Sequence, residues 1–397
     1  MTEVIMVINS GSSSIKFSVF ACQQKLNLLY HGEIESISES PCLKIFNANH
    51  AQILKQNISF KGTEAGLRAF FNWFEHLPDS MKLKAVGHRI VHGGKYFSRP
   101  TLVTEKVMKE IASLIPFAPF HEPQNLEAIK NIKKIYPKMP QVVCFDTTFH
   151  RTQEKLATLF AIPIALTDEG LVRYGFHGIS YEYIASVITK HIGAVGNKRV
   201  IVAHLGNGAS MCAMQKRKSV ATSMGLTPLD GLMMGTRCGR IDPGLLLYLL
   251  REKKYTAKQV EDLLYLESGL LGVSGISNDV RELLANKNAH AKEAIDLFCY
   301  RAALEFGSLA AALKGCDAFV FTAGIGEHAP IIRKKICERL AWLGIKIDDK
   351  ANKKNAAIIS KKGSNILVSV IPTNEEYMIA KHTWSMIKTS KRIIKMY

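Results

Sequence analysis

Four side chains stand out for the chemistry that their types and settings allow: Arg89, Asp146, His177 and Arg237. Arg89 lies in an apolar run, Ala85 to Val91, just before the pair Gly93-Gly94. A guanidinium grips a carboxylate or a phosphate through two parallel N–H bonds. Wedged in an apolar strand, it reads as a ligand-holding group, because a buried unpaired charge is costly. Asp146 follows the apolar strand Gln141 to Phe145. A carboxylate at a strand's C-terminal end suits metal handling or catalysis, and capping the next segment is an equal alternative. His177 lies in Tyr174-Gly175-Phe176-His177-Gly178-Ile179-Ser180. The flanking glycines predict an exposed loop that a ligand approaches closely, with Ser180 capping a helix over Tyr181 to His191. Arg237 belongs to a Gly-, Pro- and Thr-rich stretch from Gly225 to Pro243; long loops inside compact domains are usually functional or disordered.

The elements that must position these groups include two similar hairpins. Val4 to Phe20 reads VIMVINSGSSSIKFSVF, two strands joined by a turn of Asn, Gly and Ser. Small residues let backbone N–H groups and hydroxyls close on an anion, and Lys16 adds a charge just beyond. Half a chain later, Val200 to Met214 reads VIVAHLGNGASMCAM, again strand, small-residue turn and strand. Two such units predict a duplicated fold with one phosphate hairpin per half. Asp317 to Thr322 is a further strand feeding Ala323-Gly324-Ile325-Gly326-Glu327-His328 and a helix from about Pro330, a unit that suits a nucleotide.

Elsewhere, Leu26 to Ile34 predicts a third strand, and Ser36 to Asn57 shows little pattern. Helices are predicted over Glu64 to His76, Gln124 to Ile135, Pro243 to Glu252, Ala257 to Leu266 and about His290 to Lys314. Another opens at Ser277-Asn278-Asp279-Val280-Arg281, and Thr373-Asn374-Glu375-Glu376 caps the last.

A chain of 397 residues predicts two domains. Hydrophobic content of 47% and charged content of 22% are those of a soluble globular protein. No apolar run approaches the ~20 residues of a membrane span, and no signal peptide is legible. Eight scattered cysteines without a CxxC pair predict free thiols in a reducing cytoplasm. The net charge of +18 is spread over dispersed lysines with no nucleic-acid motif beside them. It reads as a solvated basic surface that attracts anionic substrates at long range.

With these motifs the chain resembles the acetate kinases, members of the acetate and sugar kinase/Hsc70/actin superfamily, from Val4 to about Ala380. The resemblance implies an α/β fold of duplicated ribonuclease H-like domains with a central interdomain cleft. It implies an N-terminal domain over 1–148 joined by the C-terminal helix 374–397, and a nucleotide-binding domain over 149–373. The implied reaction is Mg²⁺-dependent transfer of the ATP γ-phosphoryl to acetate, giving acetyl phosphate and ADP, with Mn²⁺ as a second candidate metal. A cytoplasmic homodimer is implied too, with neither nucleic acid nor membrane as partner.

Carried over by position, the resemblance gives the first phosphate hairpin Asn9, Ser12, Ser14 and Lys16, with Asn9 and Glu375 near the metal. Arg89, Asp146, His177 and Arg237 surround the transferred phosphoryl and the carboxylate. The nucleotide falls to His204, Leu205, Gly206, Asn207 and Gly208, to Asp279, Val280 and Arg281, and to Gly324, Ile325, Gly326, Glu327 and His328. The acyl methyl falls to Val91, Phe120, Phe176 and Pro228. Phe120, where Leu is common, predicts a tighter pocket that favours acetate over propionate. Four positions depart from the family pattern: Glu122, Tyr181, Arg240 and His328 stand for Asn, His, a small polar residue or Asp, and Asn. A propionate or butyrate kinase, or a nucleotide-gated ATPase without a carboxylate substrate, are the alternative readings.

Overall fold

The computed structural model describes residues 2–11, 14–37, 39–77 and 81–394. The chain divides into two compact units, residues 1–148 with 374–397, and residues 149–373.

In the first unit, β1 (Thr2–Ser10) and β2 (Ile15–Cys22) form the expected hairpin, with Asn9 facing Lys16 across it. β3 (Leu26–Glu35), β4 (Cys42–Asn47) and β5 (Gln52–Asn57) extend the meander. The segment that looks unpatterned in the sequence is thus a second hairpin. β5 is the outer strand of the sheet and exposed on both faces apart from Leu54, so nothing selects an apolar alternation there. In β4 the buried pair is Leu43 and Ile45, two residues apart as a half-buried strand requires. On the other side of β1, β6 (Met81–Ile90) runs parallel to it and β8 (Gln141–Phe145) parallel to β6, while β7 (Thr101–Leu102) closes the edge antiparallel. Helices Thr63–Glu75 and Glu122–Ile135 bury Phe70, Phe71, Leu67, Ala128 and Ile132 against this sheet. The final helix, Glu375–Ile394, returns to the same unit. Gly87 in β6 admits it: a Cβ there would overlap Thr383 and Ile379.

The second unit repeats the plan. β9 (Arg199–Leu205), β10 (Ala209–Gln215) and β11 (Lys218–Thr222) form an antiparallel meander; β12 (Ala318–Thr322) runs parallel to β9, and β13 (Leu367–Val370) parallel to β12. The order β11-β10-β9-β12-β13 is that of β3-β2-β1-β6-β8 in the first unit. The duplication read from two hairpins therefore extends to the whole sheet core. Helices Gly178–Ile192 and Ala289–Leu313 cover this sheet, the former through Ile184, Ile188 and Ile192. No helix among the described residues is long and apolar enough to cross a membrane.

Candidate functional site

In the first unit, three parallel strands deliver three polar side chains to one end. Asn9 lies near the end of β1, Arg89 near the end of β6, and Asp146 one residue beyond β8. The Arg89 guanidinium forks Asp146: Nε donates to Oδ1 at 3.1 Å and Nη2 to Oδ2 at 2.6 Å. Nη1 donates to the Asn9 side-chain oxygen at 3.4 Å, and Glu375, the first residue of the last helix, lies 3.8 Å away. Asp146 is 1% exposed, so its charge depends on this partner. Burial works against the Arg89 charge, but Asp146 and Glu375 restore it and hold its pKa above the ordinary value. Burial, opposed by Arg89 and reinforced by Asp146, pushes the Glu375 carboxyl up to about 7.

Asn9 and Glu375 are thus two hard oxygen donors gathered around one guanidinium, a set suited to a divalent cation that takes its remaining ligands from phosphate and water. Among the described residues no cluster of three or more His, Cys, Asp or Glu side chains forms an all-protein metal cage. In the hairpin turn, Gly11 N–H donates to the Ser14 carbonyl at 2.8 Å, and Lys16 points to solvent. Ser12 lies outside the described residues. Of the acyl-pocket candidates, Val91 is buried and Phe120 half-buried in this unit.

In the second unit, His177 differs from its expected setting. It is buried, has φ of 57°, and stands immediately before helix Gly178–Ile192. The glycines serve packing rather than exposure. Gly175 has φ of +73°, and a Cβ there would run into Thr222 and His150. The helix begins two residues before Ser180, so Ser180 does not cap it. Its hydroxyl instead bonds Thr373 Oγ1 and His204 Nδ1, both at 2.8 Å. His177 Nδ1 bonds Ser210 Oγ at 2.8 Å, and Tyr181 Oη meets the same oxygen at 2.5 Å. The rings of His177 and His204 stack at 4.2 Å. Ser210, Tyr181 and Ser180 therefore orient the two imidazoles, a role no local motif signals, because their partners lie 24 to 33 residues away. His204 and Leu205, expected near a nucleotide, are buried in this framework at the end of β9.

A cavity of about 550 Å³ opens in the same unit, lined by Gly206, Asn207, Asp279, Val280, Arg281, Gly324, Ile325 and His328, together with Asn278 and Ala329. Its size suits a nucleotide-sized ligand. It gathers most of the nucleotide candidates and adds two that the sequence reading missed, each adjacent to a predicted residue. Gly208, Gly326 and Glu327 do not line it. Glu327 Oε1 accepts from Ala323 N–H at 2.7 Å and Thr373 N–H at 3.1 Å, so it braces the glycine segment from behind. That segment is itself a short helix, Ala323–His328, rather than a turn leading to the helix Pro330–Arg339. Behind it, fully buried Arg333 donates to the carbonyls of Gly326 and Glu327 at 2.8 and 2.9 Å. Asp279 is the N-cap of helix Val280–Ala285, and its carboxylate also holds the Arg281 guanidinium at 2.6 Å. Hydrogen bonds from Arg281 keep the Asp279 carboxyl below its ordinary range.

The stretch Gly225–Pro243 contains no regular element until Pro243 opens a helix, yet its backbone is tied throughout. Gly235 N–H donates to the Asn207 carbonyl at 3.0 Å, Ser268 N–H to the Thr236 carbonyl at 3.0 Å, and Leu270 N–H to the Met234 carbonyl at 2.8 Å. Arg237 is thereby held half-buried, with Nη1 donating to the Pro228 carbonyl at 3.1 Å. Pro228 and Phe176 are buried in this unit. The departure at Arg240 has a structural partner, the buried Glu305 at 3.4 Å. A Cβ at Gly235 would overlap the Asn207 side-chain oxygen. Since Asn207 lines the cavity, Gly235→Ala is expected to weaken nucleotide binding several-fold in titration calorimetry. Native affinity in this variant would contradict the placement of Asn207.

The model of the Acetokinase family matches residues 4–381. The chain is 49% identical to an acetate kinase of Rhodopseudomonas palustris over 394 residues, covering 97% of this chain and 99% of that one. It is 43% identical to an acetate kinase of Rickettsia felis, covering 98% and 100%. Among solved structures it superposes on a propionate kinase of Francisella tularensis with a TM-score of 0.89 at 38% identity, covering 96% and 99%. The acetate kinase of Porphyromonas gingivalis gives 0.87 at 35% identity, covering 97% and 100%.

Proposed function

The chain belongs to the acetokinase family, and from that premise we propose that it transfers the γ-phosphoryl of ATP reversibly to acetate, giving acetyl phosphate and ADP. The observation that carries the assignment of residues is the Arg89 fork on Asp146, with Asn9 and Glu375 against the same guanidinium. A carboxylate substrate is already ionised at neutral pH, with a reference pKa of about 4–5. It therefore needs no general base to attack phosphorus. It needs placement in line and cover for the charge spread over the transferring oxygens. We assign carboxylate and phosphoryl cover to Arg89, Arg237 and His177. Asp146 orients the Arg89 fork and is not required as a base.

Mg²⁺ suits the Asn9 and Glu375 oxygens and, when bound, neutralises phosphate charge. ATP is assigned to the cavity beside Gly206, Asn207, Asp279 and Gly324. Ser14 and Lys16, with Ser12, belong to the first hairpin and are assigned to the phosphates. Val91, Phe120, Phe176 and Pro228 are assigned to the acyl methyl group. The likeness to a propionate kinase makes propionate the second reading. Phe120 favours acetate, by a margin that one methylene limits to ~1–3 kcal/mol.

The test is hydroxamate-trapped acyl phosphate from purified protein with MgATP and equal concentrations of acetate, propionate or butyrate. Preference for acetate supports the reading. Preference for propionate keeps the reaction and overturns the Phe120 argument. ATP turnover that is independent of any carboxylate contradicts the transfer itself.

The protein is assigned to the cytoplasm, consistent with its eight free cysteines. Helix Pro243–Arg251 leaves Leu245, Leu247, Tyr248 and Leu250 between 39% and 50% exposed. Large apolar side chains exposed around a helix in this way suit a protein–protein contact, and we assign them to a homodimer. Leu247→Glu is expected to convert the dimer to a monomer in sedimentation. A native protein that already sediments as a monomer contradicts this.

A further inference from the structure

Glu122 is a fully buried carboxyl that the reaction as assigned above does not use. It opens helix Glu122–Ile135 and grips the backbone beyond β6: Oε1 accepts from His92 N–H at 2.6 Å. One turn later on the same helix, Asn125 accepts from Val91 N–H at 3.3 Å and donates to the Ser10 carbonyl at 2.9 Å. This helix end therefore ties together the Val91–His92 backbone, the end of β1 and the segment carrying Phe120. The second carboxyl oxygen, Oε2, is buried with no hydrogen-bond partner.

The charged and titratable groups around Glu122 are Asp146, with Arg89 bound to it, and the imidazoles of His92 and His121. His92 Nδ1 accepts from Gly94 N–H at 2.9 Å, so that nitrogen carries no proton and the ring is neutral. Arg89 is committed to Asp146. Ionised Glu122 would thus be a buried second negative charge near Asp146, favoured only by the His92 N–H and the helix N-terminus. Burial first, and Asp146 second, push its carboxyl up to about 8, against the His92 hydrogen bond.

We propose that Glu122 is a positioning residue for the carboxylate substrate: protonated, it fixes the Val91–His92 backbone, and its ionisation repels the substrate anion. The inference rests on the assigned reaction with acetate. It predicts an alkaline loss of acetate affinity with no counterpart for ATP.

The experiment measures KM for acetate, KM for ATP and kcat from pH 6 to pH 9.5 in the native protein and in Glu122→Gln. If the anion does not bind acetate, KM for acetate rises about tenfold between pH 7 and pH 9 in the native protein. In Glu122→Gln the rise is less than twofold, and KM for ATP follows one profile in both proteins. A flat native profile, or the same rise in Glu122→Gln, overturns the proposal. Infrared titration of the native protein against Glu122→Gln gives a second reading that needs no turnover and separates Glu122 from Glu375. A protonated-carboxyl band lost near pH 8 in the native protein and missing from Glu122→Gln supports the proposal; the same band in both proteins, or complete ionisation of all native carboxyls by pH 6.5, overturns it. A protein that makes no acyl phosphate at any pH contradicts the assigned reaction, while the infrared result still decides the proton on Glu122.

Discussion

Arg89→Lys is expected to lower kcat/KM for acetate by about 10²–10³-fold, the loss typical when one donor to developing charge is removed. The substitution keeps a positive charge, so the prediction turns on geometry. Arg89 makes three directed contacts at once, two to Asp146 and one to Asn9. An ammonium on a flexible stem cannot reproduce the planar fork. One Asp146 oxygen then loses its partner where the side chain is 1% exposed, which itself costs about 1–3 kcal/mol of stability. Two measurements follow together: steady-state kinetics in acetate, and the melting temperature. A variant with kcat/KM within twofold of native would remove Arg89 from the account. A lowered melting temperature with unchanged kinetics would leave the Arg89–Asp146 pair as structural only.

Arg237→Lys is expected to lower kcat by a similar factor, about 10²–10³, with a smaller change in KM for acetate. The supporting loop explains why the effect should be kinetic and not a matter of folding. Its backbone is tied by Gly235, Ser268 and Leu270, none of which depends on the Arg237 side chain. The guanidinium is oriented by the Pro228 carbonyl, so lysine would leave the loop in place and lose the second prong. Native kcat in this variant would contradict the assignment. A rise in KM alone would move Arg237 from charge cover in transfer to substrate binding.

What was legible in the sequence follows from range. The hairpins β1–β2 and β9–β10 announce themselves by apolar strand runs on either side of small-residue turns, a signal complete within about 20 residues. Arg89 and Asp146 are each visible as a polar residue at the end of an apolar strand, but their pairing spans 57 residues and appears only once β6 and β8 lie parallel. The β4–β5 hairpin is hidden because an outer strand exposed on both faces has no reason to alternate. His177 was misread because glycine has two uses. Gly175 makes room for packing against Thr222 and His150, where the sequence suggested an open loop. Glu327 sits among nucleotide-contact candidates by position, yet its carboxylate is spent on two backbone N–H groups. The same limit of range hid Ser210 and Tyr181, whose hydroxyls meet above His177 from separate elements.

The central claim is that this chain moves a phosphoryl group between a nucleotide and a carboxylate oxygen. Phosphorus NMR of the purified protein with MgADP and acetyl phosphate tests it most directly, because donor, product and leaked phosphate give separate signals. The account predicts that the acetyl phosphate signal declines as the γ-phosphate signal of ATP grows, with little inorganic phosphate. Acetyl phosphate that persists, or that is converted to inorganic phosphate without ATP, would contradict it.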